Sequence, residues 1–477
     1  MTEPLGDVPI DQFREQLRRM SDWAADYRQN IENLPVAPVI KPGDIAAKLP
    51  ASPPEEAENF DAIFSDLTNV IVPGVLNWAH PEFLAYFGCT TTAPGVLGEI
   101  ASAVFNINGM TWRTSPASTE LEMVVVDWLR QWLLLPPDFD GVVFDTASIS
   151  IMHALAAARE EAVPGARHDG IAGAPTLRVY TSDQGHSSID KAVIAIGIGE
   201  ANVVRVPSDE NFRMRPELLR DQIERDLAAN MKPLAVIATC GTTSTAATDP
   251  IPAIAKICEE KEVWLHIDAA YGGGLALLPE EKSITEGWSK ADSLVINPHK
   301  MLFVPLDFSV LYVRDLERLR RVFTLVPEYL RGDAGETERN YMDYGVTLGR
   351  RFRSLKAWMV FRTFGRKGIA ARIREHLRLA RLFAQWVKDS PDFELLAPVS
   401  MGIVCFRALN GKPEESDSFN SRIVESVNRS GRCYLNQTKL RGRTAIRLGL
   451  GNVLTTERHV RDGWQLIQET ARAIAAE

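Results

Sequence analysis

Cysteine is scarce in this chain, and its placement suggests no shared task. Five thiols (Cys89, Cys240, Cys258, Cys405 and Cys433) are scattered over 477 residues, odd in number and with no Cys-x-x-Cys pair. That excludes a disulfide framework and gives no sign of a zinc or redox centre, so no metal is expected. They read as reduced thiols of a cytoplasmic protein. Long apolar runs are also missing: none reaches the ~18–20 residues that span a bilayer. The opening Met-Thr-Glu-Pro-Leu-Gly-Asp has neither the basic start nor the apolar core of a signal peptide. Positive charge is not in excess, with 53 Lys and Arg against 62 Asp and Glu and a net charge of −9. A nucleic-acid or anionic-membrane partner is therefore not expected. Internal repeats and low-complexity tracts are absent. What remains is ordinary for a globular chain, 45% hydrophobic and 24% charged, and long enough for two or three domains.

The first periodic segment carries Phe13, Leu17, Met20, Trp23, Tyr27 and Ile31 at spacings of three and four, with Asp11 as its candidate cap. This predicts an amphipathic helix that buries its face against a partner subunit or its own domain. The proline-rich stretch Leu34 to Pro54 reads as an extended linker. From Gly141 short apolar runs alternate with helical stretches. Strands are predicted at Gly141–Phe144, Leu177–Thr181, Val203–Val206, Leu234–Thr239, Trp264–Ile267, Ser293–Ile296 and Val310–Val313. Helices fall between them, as at Ile149–Glu161 and Ile251–Lys261. That alternation means a mostly parallel α/β sheet, whose ligands sit at the carboxyl ends of strands. From about Phe364 the chain turns helical and then mixed, with apolar runs Gly402–Phe406 and Thr444–Leu448, which predicts a smaller α+β domain.

The chemistry lies at those strand ends. Asn297-Pro298-His299-Lys300 closes one apolar run, and Asp268, in His-Ile-Asp-Ala-Ala-Tyr, stands 32 residues before Lys300. A lysine for a Schiff base, with an upstream aspartate for a pyridinium nitrogen, is the signature of pyridoxal-phosphate chemistry. Such a lysine must lose its proton to attack an aldehyde, so its pKa must fall. A buried Asp268 needs a cationic partner, and a protonated pyridine would serve. His186, in Asp-Gln-Gly-His-Ser-Ser, suits stacking on a flat cofactor. Thr242 and Thr243 follow another strand and suit a ring hydroxyl or a substrate carboxylate; a simple Ser/Thr turn explains them as well. Thr146-Ala147-Ser148 precedes a helix and is the best phosphate candidate, though a plain helix cap is equally consistent. Residues 331–347 are polar with glycines and read as a surface loop or a lid, on which Tyr341 or Tyr344 would donate a proton. Arg350, Arg351 and Arg353 read as an ion-paired helix start rather than an anion patch.

Together these residues form a resemblance. The chain resembles the group II pyridoxal-phosphate decarboxylases, in particular the aromatic-L-amino-acid decarboxylases, from about residue 10 to 465. The matching blocks are His80–Phe87, Ser115–Glu122, Asp183–Ser188, His266–Tyr271, Asn297–Lys300 and Leu348–Leu355. The resemblance implies fold type I, with a mostly parallel seven-stranded sheet flanked by helices. It divides the chain into an N-terminal helical dimerisation segment (1–80), a large cofactor domain (81–363) and a small α+β C-terminal domain (364–477). It implies an obligate homodimer with both sites at the interface, pyridoxal 5′-phosphate as cofactor and a small aromatic amino acid as substrate.

Residue by residue, Lys300 matches the Schiff-base lysine, Asp268 the pyridinium partner and His186 the stacking histidine. Thr243 and Ala270 match ring contacts. Ala147, Ser148, Asn297 and His299 match phosphate contacts, and Tyr341 the lid tyrosine that reprotonates Cα with His186. Trp78, Tyr86 and Phe87 match the substrate pocket; Asn108 and Met110 match pocket positions lent by the other subunit. Gly349 stands where plant members with glycine tend to take indoles and those with serine phenols, a lean toward tryptophan over tyrosine, dihydroxyphenylalanine or phenylalanine. The chain departs from the family at Asp145, usually glycine, and at Ile149, commonly glutamate; a carboxylate beside a phosphate repels it unless turned away. Gly88-Cys89, Asn108 and Met110 also differ. The implied reaction is decarboxylation to the amine and CO₂. The rivals are oxidative deamination to an aldehyde, which in this family goes with phenylalanine at the lid position, and a glutamate-type decarboxylase, suggested by Met301. A cofactor-binding protein without catalysis is the remaining alternative.

Overall fold

The computed structural model describes residues 6–325, 338–409 and 413–477. The sheet that dominates it is built from seven strands, β1 (Asp140–Phe144), β2 (Leu177–Ser182), β3 (Val203–Val206), β4 (Lys232–Thr239), β5 (Trp264–Asp268), β6 (Ser293–Ile296) and β7 (Ser309–Val313). Each predicted strand is present within two residues of its expected ends. The spatial order is β1-β7-β6-β5-β4-β2-β3. Pairs β2–β3, β2–β4, β4–β5 and β5–β6 are parallel, and β7 runs against both neighbours. The sheet is buried on both faces, and alternate side chains feed two cores. Val143, Leu265, Ile267, Val310 and Tyr312 enter one; Val142, Phe144, Trp264, Leu311 and Val313 enter the other.

A second, antiparallel sheet follows in the order β10-β11-β9-β8, formed by β8 (Phe393–Leu395), β9 (Ile403–Ala408), β10 (Asn436–Leu440) and β11 (Arg443–Gly449). The two sheets are bridged by Ser354–Asp389, a helical run broken at Gly365. The φ of 60° and ψ of 168° there belong to a region open essentially only to glycine, so this residue lets the run change direction.

The first helix, Ile10–Gln29, starts one residue before the expected cap. Pro9 takes the cap position, and Asp11 lies in the first turn, paired with Arg14 at 2.7 Å. No residue of this helix is buried, and Phe13 and Leu17 stay exposed. Ile31 falls beyond it, in a short 3-10 turn Ile31–Asn33, and is buried. The proline-rich linker contains one further such turn, Ala46–Lys48.

Candidate active site

Three strand ends meet where the parallel order brings β2, β4 and β5 side by side. Thr239, the last residue of β4, pairs with Asp268, the last residue of β5; His186 lies just past β2. Lys300 sits on the short helix Pro298–Met301 that follows β6, its Nζ 4.8 Å from the centroid of the Phe87 ring. Burial lowers its pKa, Asp268 and Cys89 oppose that shift, and the positive charge of Arg447 adds to it. The neutral amine is the nucleophilic form, so the site favours the species covalent attachment needs.

Asp268 is buried, with Oδ1 accepting the Ala270 N–H at 3.1 Å. Among the described residues no lysine, arginine or histidine forms an ion pair with it. His186 is exposed, and its Nδ1 accepts the Ser188 N–H at 3.0 Å, which leaves the proton on Nε2. Burial of part of the ring lowers its pKa, with Asp268 opposing. Thr242 spends its hydroxyl inside the turn, on Thr245 at 3.1 Å and the Ala247 N–H at 3.0 Å. Thr243 is exposed and free of such ties.

Ala147 and Ser148 are the first residues of the helix Ala147–Ala162, capped by Thr146, so their N–H groups are first-turn donors without intrahelical acceptors. The Asp145 carboxylate turns onto its own chain: Oδ1 accepts the Thr146 N–H at 2.7 Å. Ile149, half-buried, packs on the second core. Asn297 and His299 are both buried. Asn297 Oδ1 has no hydrogen-bond partner; His299 Nδ1 accepts the Phe308 N–H at 2.9 Å, and burial pushes its pKa down to about 3.

Phe87 forms one wall. It stacks on Tyr271 at 3.9 Å, and the Arg447 guanidinium, like the Lys300 amine, stands near its ring, 4.9 Å from the centroid. Trp78 and Tyr86, both exposed, stack at 5.4 Å beside it. Arg447 is a residue that sequence reasoning missed. It is buried in β11, donates to Tyr86 O at 2.7 Å and Ser244 O at 3.0 Å, and keeps Nη2 without a partner. An arginine inside the apolar run Thr444–Leu448 was the available signal, since burying one demands a reason.

The remaining predicted residues form a second group. Asn108 accepts the Arg350 N–H at 2.9 Å, Met110 O accepts the Met342 N–H at 3.0 Å, and Gly349 approaches Asn108. Tyr341 is buried, with the Arg350 guanidinium 4.4 Å from its ring centroid. Burial raises its pKa far above the usual phenol range, the nearby Glu122 adds to that, and the Arg339 and Arg350 charges oppose it. None of the contacts described around Lys300 involves this group. Of the expected loop, 331–337 lies outside the described residues; Tyr341–Tyr344 forms a 3-10 turn. Arg350 pairs with Glu122, Arg351 with Glu99 and Arg353 with Asp307.

The Lys300 half-site suits pyridoxal phosphate on its own terms. A buried carboxylate without an ion-pair partner among the described residues wants a protonated ring nitrogen, a buried Asn297 oxygen wants a donor, and a lysine whose pKa burial lowers lies nearby.

Residues 42–409 match the pyridoxal-dependent decarboxylase conserved domain. The chain is 38% identical over 479 residues to phenylacetaldehyde synthase of Arabidopsis thaliana, covering 98% of this chain and 97% of that one. It is 37% identical over 483 residues to the aromatic-L-amino-acid decarboxylase of Catharanthus roseus, covering 98% and 95%. Its fold matches the crystal structure of Oryza sativa TDC with PLP and tryptamine at a TM-score of 0.95 and 36% identity, covering 98% of this chain and 99% of that one.

Proposed function

The chain belongs to the pyridoxal-dependent decarboxylases, and on that premise we propose that it converts an aromatic L-amino acid to its amine and CO₂. The observation that carries this reading is Asp268: a buried carboxylate with no ion-pair partner among the described residues, placed near a lysine that burial has made easier to deprotonate. Lys300 would hold the cofactor aldehyde, Asp268 the ring nitrogen and His186 one ring face, with Ala270 and Thr243 as further ring contacts. Ala147, Ser148, Asn297 and His299 would take the phosphate. When bound, the cofactor supplies an electron sink for the pair left behind as CO₂ departs.

This chain's own residues do the rest. The Asp268 carboxylate keeps a proton at the ring nitrogen, which deepens that sink. Phe87 and Tyr271 make an apolar wall against which a carboxylate is poorly solvated, favouring its loss as a neutral molecule. Arg447, with Nη2 unpaired, is the donor available to an anionic group at that wall. The aromatic mouth of Trp78, Tyr86 and Phe87 favours a flat apolar side chain over a glutamate-like one. The Tyr341 hydroxyl delivers the proton to Cα.

Because Tyr341, Asn108, Met110 and Gly349 stand apart from Lys300 of their own chain, they are read as completing the site of a second copy. Large apolar side chains left uncovered on Ile10–Gln29 and Ala93–Phe105, among them Phe13, Leu97, Val104 and Phe105, support a homodimer. The N-terminal 1–80 would form much of that interface. No helix of the described residues is long and apolar enough to cross a membrane.

The test is to incubate the cofactor-loaded protein with tryptophan, tyrosine, dihydroxyphenylalanine, phenylalanine and glutamate, scoring CO₂, amine, aldehyde and peroxide. Amine and CO₂ from an aromatic acid, falling more than about a thousandfold in Lys300→Ala, is the expected result. Aldehyde with peroxide would replace it with the oxidative reading, and turnover of glutamate alone would overturn the aromatic one.

A further inference from the structure

His153 takes no part in the site described so far, yet its ring is wholly buried and both nitrogens are used. It lies on the helix Ala147–Ala162, whose first turn carries Ala147 and Ser148. Nδ1 donates to Ile149 O at 2.7 Å, and Nε2 accepts the Val346 N–H at 3.0 Å. One neutral tautomer satisfies both bonds. The ring is held between Phe144 at 4.3 Å and Phe323 at 4.7 Å. Gly345 closes over it: a Cβ there would stand 2.9 Å from His153 Nε2 and 2.9 Å from the Phe144 ring. The Gly345 backbone is extended, with φ of −167°, so contact alone requires glycine at this position.

The other end of the same short segment is tied through the Met342 N–H to Met110 O. The turn Tyr341–Tyr344 begins one residue before the first of these ties and ends two residues before the second. We infer that His153 is a positioning residue: its Nε2–Val346 bond and the Gly345 contact clasp the chain just after Tyr341 and fix where that hydroxyl is delivered. The inference rests on the reading of Tyr341 as the proton donor. It assigns the clasp to a side chain 193 positions away from Val346, on the helix that also presents the candidate phosphate donors. A neutral polar ring in an apolar cradle is costly unless both nitrogens are bonded. An aliphatic residue would fill the cradle more cheaply but would leave the Val346 N–H without its acceptor.

The experiment compares the holoenzyme with His153→Phe, His153→Gln, Gly345→Ala and Tyr341→Phe. Phenylalanine keeps the ring shape and removes the acceptor; glutamine returns an acceptor. The readouts are amide exchange of the peptide containing Val346, the ratio of amine to aldehyde formed in air, and Tm. His153→Phe should speed exchange of that amide about 2- to 12-fold, the range of one hydrogen bond, and lower the amine fraction with little change in Tm. His153→Gln should restore both, and Gly345→Ala should reproduce the defect. Unchanged exchange and product ratio in His153→Phe, with the ratio altered in Tyr341→Phe, would overturn the clasp and leave the tyrosine reading intact. An unaltered ratio in Tyr341→Phe would overturn the tyrosine reading itself. If His153→Phe does not fold, Gly345→Ala decides by the same two readouts.

Discussion

Removing the Glu122 carboxylate is the perturbation whose cost the structure allows to be worked out. Glu122 and Arg350 are paired at 2.7 Å with side chains 3% and 7% exposed. Glu122 Oε1 also accepts the Val143 N–H at 2.9 Å, while Arg350 donates to Val143 O at 2.8 Å. A single carboxylate therefore satisfies a buried cation and the β1 backbone together. Glu122→Ala strands both, and breaking a buried pair from one side costs about 3–5 kcal/mol. Glu122→Gln keeps an oxygen for Val143 and loses only the charge, so it should cost about 1.5–3 kcal/mol, the range of a charged hydrogen bond. At ~2.1 cal/mol/K per residue, a 477-residue chain unfolds with an entropy of about 1 kcal/mol/K. The expected losses are then about 3–5 °C for alanine and 1.5–3 °C for glutamine. Calorimetry at fixed protein and cofactor concentration reads them, since dimerisation and ligand both move Tm. Arg350 also lies over the Tyr341 ring, so the alanine variant should form less amine per aldehyde. A Tm loss below about 1 °C in Glu122→Ala would refute the reasoning, because a buried guanidinium cannot lose its partner so cheaply.

Tyr341→Phe should shift products from amine toward aldehyde and peroxide while leaving Tm within about 1–2 °C, because the buried hydroxyl has no well-formed hydrogen bond to lose; a large Tm loss would show a partner in its resting position. Asp145→Gly should tighten cofactor binding about 5- to 30-fold in a titration followed by absorbance, by removing a negative charge next to the phosphate donors; unchanged affinity would mean the carboxylate is already screened by its Thr146 contact. His376 is buried and its pKa is pushed down to about 4, so unfolding below pH 6.5 lets it take up a proton it lacks when folded, and stability falls as pH drops from 6.5 toward 4. His376→Gln should flatten that fall by about 1.4 kcal/mol per pH unit in Tm-against-pH curves, and an unchanged slope would mean the histidine is already charged in the fold. Exchanging subunits between Lys300→Ala and Tyr341→Phe chains should recover about a quarter of the wild-type amine rate, since half the dimers are mixed and each has one intact site. No recovery would mean that each chain uses its own tyrosine.

The central sheet was legible because its apolar runs are short, flanked by turn residues and separated by helical stretches, and it is that length and context, not periodicity, that tells a buried strand from a buried helix. Lys300 and Asp268 were legible for a related reason: each ends or follows a buried strand, where a charged group has few cheap explanations. Arg447 was not found, although it faces Phe87, because its neighbours Ile446 and Leu448 read only as a strand and nothing local says which cavity the side chain enters. Asp11 was mistaken for a cap because residue type alone does not show where a helix begins, and Pro9, already at a helix-compatible φ, starts it earlier. The Glu122–Arg350 pair and the His153–Val346 bond join residues 228 and 193 positions apart. No periodicity or spacing rule reaches that far.

The proposed division into two half-sites starts from how the two groups are held. Lys300 and Asp268 stand at the ends of the adjacent strands β6 and β5, and His186 follows β2 on the far side of β4, so a single sheet brings them together. Asn108, Met110 and Tyr341 hang on segments tied to one another and to Arg350, and Arg350 is anchored on β1 through Val143 and Glu122. In the strand order, β1 is at one edge, while β4 and β5 lie across β7 and β6 from it. With strands about 4.8 Å apart, β6, which Lys300 follows, lies two strand spacings from β1, roughly 10 Å, and β5, which ends in Asp268, lies three, roughly 14 Å. Ala147 and Ser148 follow β1 directly, so the proposed phosphate donors reach the Lys300 site from the β1 edge; the proposed second copy would supply Tyr341 with the Arg350 and Met110 contacts of its segment kept.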